Sequence, residues 1–84
     1  MSEIAWRAAK DFARRLRDPE FRSFAADAGY RPGGELVLAL EHEPVRSVLD
    51  RVENVSHGSP VTLVVYRPDT ARGFSFVPLN SQAA

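Results

Sequence analysis

The hydrophobic and polar positions of the first 30 residues repeat with the period of an α-helix. Apolar residues return every three or four positions over "EIAWRAAKDFARRLR" (3–17) and again over about 19–28. Between these stretches, Asp18 is a suitable N-cap and Pro19 a suitable first helical residue, so one helix should end here and another begin. We expect the first helix to have one broad apolar face. That face consists of Ala5, Trp6, Ala9, Phe12, Ala13 and Leu16.

The remainder of the chain contains shorter apolar runs that are typical of strands. These runs are "ELVLALE" (35–41), "VTLVVY" (61–66) and "FSFVPL" (74–79). Between the first two, a helical pattern begins near Pro44 and ends before Gly58. The sequence therefore predicts an α+β fold, in which two N-terminal helices precede a β-α-β-β unit with a small three-stranded sheet. We expect the first two strands to be parallel and the last two to form a hairpin.

We expect a single domain over residues 1–84, because the chain is short and shows neither a linker nor an internal repeat. Its helical part covers 1–30 and its β-α-β-β part covers 35–79. Residues 80–84, "NSQAA", are interpreted as a frayed tail.

The strand over 61–66 is apolar on both of its faces. Val61, Leu63 and Val65 point one way, whereas Val64 and Tyr66 point the other way. Either the helices of the same chain cover both faces, or a second subunit completes the core. We expect a homodimer, the commonest way to complete a core with a second subunit. The predicted interface residues are Val64, Tyr66 and Val77.

Composition narrows the possible functions. The chain is 44% hydrophobic and 26% charged, which is ordinary for a globular protein, and it has no cysteine for a disulfide or a thiolate metal site. The N-terminus does not resemble a signal peptide, and no apolar run is long enough to span a membrane. We therefore expect a soluble, cytoplasmic protein that does not associate with membranes.

The net charge is zero, but basic residues are concentrated in the N-terminal part. Residues 1–31 contain seven basic and five acidic residues, and residues 32–84 contain four and six. A basic stripe on the first helix and two arginines beside the hairpin turn could contact an acidic protein or phosphates, although a solvated helix face is the common alternative. The predicted partner-binding residues are Trp6, Arg7, Lys10, Arg14, Arg17, Phe21, Arg22, Arg67 and Arg72.

The two histidines are candidate reactive groups. His42 lies in "EHE" (41–43), which could be a weak metal or acid–base site, but adjacent residues do not converge on one point, so a polar approach to a helix is favoured. His57 lies close to serines in "VSHGSP", without a nucleophile-elbow pattern, and is interpreted as a loop residue near a helix C-terminus. We expect no catalytic residue, metal ligand or cofactor, and hence no enzyme.

The segment from Leu36 to Leu79 resembles the N-terminal half of Phd/YefM-type antitoxins. The residues that carry this resemblance are "VLDRV" (48–52), "GSPVTLVV" (58–65) and "GFSFVPL" (73–79). The resemblance implies an obligate dimer that binds its own promoter and neutralises a toxin. In that family a C-terminal segment binds the toxin. Here the sequence ends soon after the last strand, so the resemblance would assign this task to the N-terminal helices.

The sequence thus favours a small regulatory protein that binds and neutralises another protein, in the manner of an antitoxin, and that could bind DNA as a dimer. The alternative is a phage or mobile-element inhibitor of a host defence complex, of the anti-CRISPR type. Both functions act through stoichiometric binding, and the partner would be a toxin or a host complex.

Overall fold

Two consecutive helices form the N-terminal part of the protein. In the computed structural model, which describes residues 3–79, these are α1 (Glu3–Arg15) and α2 (Pro19–Asp27). The Asp18 side chain accepts a hydrogen bond of 3.1 Å from the backbone N–H of Glu20, and Pro19 opens α2. The cap and the proline predicted from the sequence therefore separate the two helices.

A β-α-β-β unit follows, as the sequence predicts. It consists of β1 (Glu35–Leu40), α3 (Val45–Ser56), β2 (Val61–Tyr66) and β3 (Phe74–Leu79). The strand order is β1-β2-β3, with β1 parallel to β2 and β2 antiparallel to β3. The α+β class and the three-stranded sheet are confirmed. The predicted tail over 80–84 lies outside the described residues.

The face of the sheet that carries Val64 is covered by α1 and α2. The register places Leu38, Val64 and Phe76 side by side across the three strands. Phe12 of α1 and Phe21 of α2 pack on this row and complete an aromatic core. Edge-to-face ring pairs add stabilisation of about 0.5–1.5 kcal/mol each beyond area burial, so this cluster is the main apolar contact that holds the N-terminal helices to the sheet.

The opposite face is only partly covered. Its cover is α3, which packs mainly against β1 and β2. Val37 and Val61 are buried there together with Val48 of α3. On β3, Val77 pairs with Leu63 and remains 42% exposed. The open part of the sheet is therefore the β3 end of this second face.

The apolar face of α1 is rotated from the predicted one. Ala8 is fully buried, whereas Trp6 is 58% exposed and Ala13 is exposed. At 3.6 residues per turn, Ala8 lies about 40° from Phe12 around the helix and Trp6 about 120° from it. The predicted face included Trp6 and left out Ala8, whereas the packing of Phe12 on the sheet selects the side of the helix that carries Ala8.

Among the helices of residues 3–79, none combines the length and the apolar character needed to cross a lipid bilayer.

Candidate partner-binding groove

One surface groove brings together most of the predicted partner-binding residues. It lies between the outer side of α1 and the end of β2, and has a volume of about 830 Å³. We call it the α1–β2 groove. Its lining includes Trp6, Arg7, Lys10, Arg14, Arg17 and Tyr66.

Helical spacing explains why the four cations line up. Arg7, Lys10, Arg14 and Arg17 follow one another at intervals of three or four residues, which places them on one side of α1 and its C-terminal turn. At about 1.5 Å per residue the row is roughly 15 Å long. Trp6 begins the row, and the Nζ atom of Lys10 lies 5.8 Å from the centre of its ring. The groove therefore has an aromatic side chain at one end and a row of basic side chains along its length.

Two carboxylates partly neutralise the positive charge of the groove. Arg7 pairs with Glu3 at 3.5 Å, and Asp11 pairs with both Arg14 and Arg15. Burial alone would raise the pKa of Asp11, but hydrogen bonds from the two arginines outweigh it and lower the pKa. Asp11 thus remains ionised and fixes the arginine side chains near it.

Lys10 and Arg17, the other two cations of the groove, are more available to bind a partner. Within residues 3–79, no carboxylate forms an ion pair with Lys10 or Arg17. Four cations face two acids in this groove, which leaves a net charge of +2. Such a surface can attract an acidic partner, while the exposed indole of Trp6 offers a large apolar contact.

The other predicted arginines lie outside the groove and are held by the chain itself. Arg67 is 3.6 Å from the carboxylate of Glu41. The guanidinium of Arg72 lies 4.8 Å from the centre of the Phe24 ring. Arg22 donates hydrogen bonds to the carbonyls of Leu16 and Arg17, at the end of α1. These contacts dock the hairpin turn and tie the two helices together.

Phe21 and Val64 require a correction. Both were predicted to face another subunit or partner, but their exposed fractions are 3% and 0%. Each side chain is buried in this chain's own aromatic core. The amphipathic pattern of α2 predicts an apolar side, but the pattern does not show whether that side contacts the sheet of the same chain or another protein.

The predicted dimer interface is also divided by the structure. Tyr66 points to the face that α1 covers and lines the α1–β2 groove, whereas Val77 lies on the opposite face beside Leu63. The three interface residues therefore do not form one surface. Only Val77 belongs to the open part of the sheet.

The histidines are not assembled into a reactive site. His42 is almost fully exposed and lies 3.7 Å from Glu41, while His57 caps the C-terminus of α3 with a left-handed backbone (φ 39°). Residues 3–79 contain no group of three His, Cys, Asp or Glu side chains arranged to hold a metal ion.

Sequence reasoning missed the role of Glu43. Its carboxylate binds the guanidinium of Arg51 and also accepts a 3.0 Å hydrogen bond from the backbone N–H of Leu40. The hydrogen bond from Arg51 lowers the pKa of Glu43, against the effect of burial, and the same bond raises the pKa of Arg51. Glu43 and Arg51 meet because α3 packs beside the end of β1. The sequence shows only that the two residues have opposite charges, which does not predict their contact.

Comparisons of this chain with models of protein families, with curated proteins and with solved structures give no match. The resemblance to antitoxins therefore stays a prediction that depends on the residues quoted above.

Proposed function

We propose that this chain is a small regulatory protein that acts by binding another protein and neutralising it, in the manner of an antitoxin. The observation that supports this most is the α1–β2 groove, where Trp6 is 58% exposed beside four cations. Trp, Tyr and Arg are enriched among the residues that contribute most to binding at protein interfaces, so an exposed Trp beside a row of cations is a suitable anchor for a partner. The proposal includes a cytoplasmic location and no catalytic step.

The partner that fits this groove has an acidic surface next to an apolar pocket. The acidic surface would face the row from Arg7 to Arg17, and the pocket would receive the indole of Trp6. Opposite charges raise the association rate and set the orientation, whereas burial of the indole supplies most of the affinity.

The experiment that tests the proposal compares two equally exposed residues of α1. Ile4 is also 58% exposed but is not part of the groove lining, so Ile4→Ala is a matched control for Trp6→Ala. Tagged protein is recovered from cells of the native host, and the co-purified proteins are identified by mass spectrometry. We expect the wild type and Ile4→Ala to retain one small partner at equal stoichiometry, and Trp6→Ala to lose it.

Neutralisation is tested by expressing that partner. Expressed alone it should arrest growth, and the wild-type chain, but not Trp6→Ala, should restore growth. Equal capture by both variants contradicts the role of the groove. A large nucleoprotein complex in place of a small partner would instead support an inhibitor of a host defence complex.

The proposal also includes DNA binding by a homodimer, as the antitoxin resemblance implies. A row of cations about 15 Å long can follow several phosphates of a DNA backbone. Lys10→Gln should weaken binding to promoter DNA and reduce the slope of log K against log salt by about 1. Arg46→Gln removes the same charge from an exposed position of α3 and is the control. If the wild type fails to shift DNA even at low salt, this part of the proposal is wrong.

A further inference from the structure

β1 is an edge strand of the three-stranded sheet. In the order β1-β2-β3, β1 pairs with β2 along one edge, and its other edge faces outward. The backbone N–H and C=O groups on such an edge can pair with a strand of another chain, which natural proteins commonly prevent by covering or charging the edge.

Two side chains occupy the middle of this edge. Arg51 donates a 2.9 Å hydrogen bond from Nη2 to the carbonyl of Leu38, and Glu43 accepts the N–H of Leu40 at 3.0 Å. The guanidinium and the carboxylate also bind each other, with Nη2 and Oε2 3.0 Å apart. We call these two residues the edge clamp.

The edge clamp reproduces the hydrogen bonds of a neighbouring strand. A neighbouring strand would donate an N–H to the carbonyl of Leu38 and would accept the N–H of Leu40. Arg51 supplies the donor and Glu43 the acceptor. Any strand added to this edge has to displace both.

The groove along the edge of β1 restricts which side chains an added strand can carry. It has a volume of about 550 Å³, with Ala5 and Ala9 of α1 on one side and Val55 of α3 on the other. A strand placed between these walls needs apolar side chains on both of its faces. β1 has this property, because leucines occupy one face of "ELVLAL" (35–40), and Val37 and Ala39 occupy the other.

We propose that the edge of β1 is a strand-addition surface for a second copy of this chain, and that the edge clamp keeps it closed. Opening the clamp lets β1 pair in the antiparallel orientation with β1 of the other copy, because a two-fold axis relates the two strands. Leu36, which is 37% exposed, then contacts the apolar groove of the partner copy. This surface does not include the α1–β2 groove, and the inference does not depend on the proposed function.

The first test removes one residue of the edge clamp by substitution and measures the molar mass of the protein in solution. Arg51→Ala is compared with Arg46→Ala, which removes the same charge from the exposed surface of the same helix. Light scattering over a range of concentrations should give twice the wild-type mass for Arg51→Ala, and the wild-type mass for Arg46→Ala. If Arg51→Ala unfolds, as judged by circular dichroism, it is replaced by Glu43→Leu, which removes the acceptor that holds Leu40 and Arg51.

A second substitution locates the new contact. Leu36 is 37% exposed on β1, so Leu36→Lys places a charge on the edge and should return the Arg51→Ala chain to the wild-type mass. Leu49→Lys places the same charge on the 52% exposed Leu49 of α3 and should leave the association unchanged. Association that persists in the Leu36→Lys background overturns the assignment to β1.

The wild-type chain provides a test without any variant. Because its N–H is held by the Glu43 carboxylate, Leu40 should exchange its amide hydrogen about tenfold or more slowly than Leu38 on the same edge, the ratio expected of a hydrogen bond to a charged group. Equal exchange at the two amides, or wild-type mass for both clamp variants, overturns the proposal.

Discussion

Gly29 lies directly against Pro78. A Cβ atom added to Gly29 would come within 2.2 Å of Cγ of Pro78, and the backbone of Gly29 has a φ of +106°. This contact brings the end of α2 onto β3. Both the space and the backbone conformation require glycine.

Gly29→Ala should lower the free energy of unfolding through two separate effects. The positive φ costs about 1–3 kcal/mol, and the overlap with Pro78 costs about 1–3 kcal/mol more. Gly33→Ala is the matched control, since Gly33 has a φ of +84° and no atom lies within 4 Å of its added Cβ. Urea denaturation of both variants separates the two effects.

A double variant tests the contact itself. In the Pro78→Ala background, Gly29→Ala should cost less than in the wild type, because the ring that it meets is gone. An equal cost in the two backgrounds would show that the backbone conformation, and not the contact, accounts for the loss.

Phe12 should be the most sensitive position of the core. Its ring contacts four others at centroid distances of 5.2–6.1 Å, and these belong to Phe21, Tyr30, Phe74 and Phe76. Phe12→Ala should lower the free energy of unfolding by about 3–5 kcal/mol, a large part of the stability of a small domain. A smaller loss than that of the partly buried Phe24→Ala, measured by urea denaturation, would contradict this central role.

Trp6 should matter for binding and not for stability. It is the only tryptophan, and more than half of its side chain is exposed. Trp6→Ala should change the free energy of unfolding by no more than about 0.5 kcal/mol, apart from a small loss of contact with Lys10. Its native fluorescence should resemble that of an exposed indole and shift to shorter wavelength when a partner binds. A blue-shifted emission in the free protein would contradict the exposed position.

The edge clamp should make stability depend on pH in the acid range. Because Arg51 lowers the pKa of Glu43 in the folded state, the carboxylate stabilises the fold fully above its unfolded pKa of about 4.3. That contribution is lost as the pH falls through the lower, folded value. Glu43→Gln should flatten this part of the curve, measured by urea denaturation between neutral and acid pH.

The elements of this fold were predictable because their signals are local. Asp18 and Pro19 mark the break between α1 and α2, and the bounds of β2 and β3 agree with the apolar runs. The row of cations on α1 was also predictable, since helical spacing alone places Arg7, Lys10 and Arg14 on one side.

The relationships between elements were not predictable in the same way. β2 is apolar on both faces, so its sequence does not show which face the N-terminal helices cover, and Val64 was assigned to the wrong surface for this reason. Tyr66 reaches the groove only because α1 lies over that end of the strand. Glu43 and Arg51 meet at β1 through tertiary structure, which local patterns do not encode.

The aromatic core has a consequence for how the chain is made. Phe12 and Phe21 are synthesised well before Phe74 and Phe76, the rings of β3 that pack against them. Until β3 is available, these two rings have only part of their packing surface, and contacts between such distant parts of a chain form slowly. The N-terminal helices therefore cannot pack fully on the sheet until β3 has emerged, and their apolar sides stay partly exposed until then.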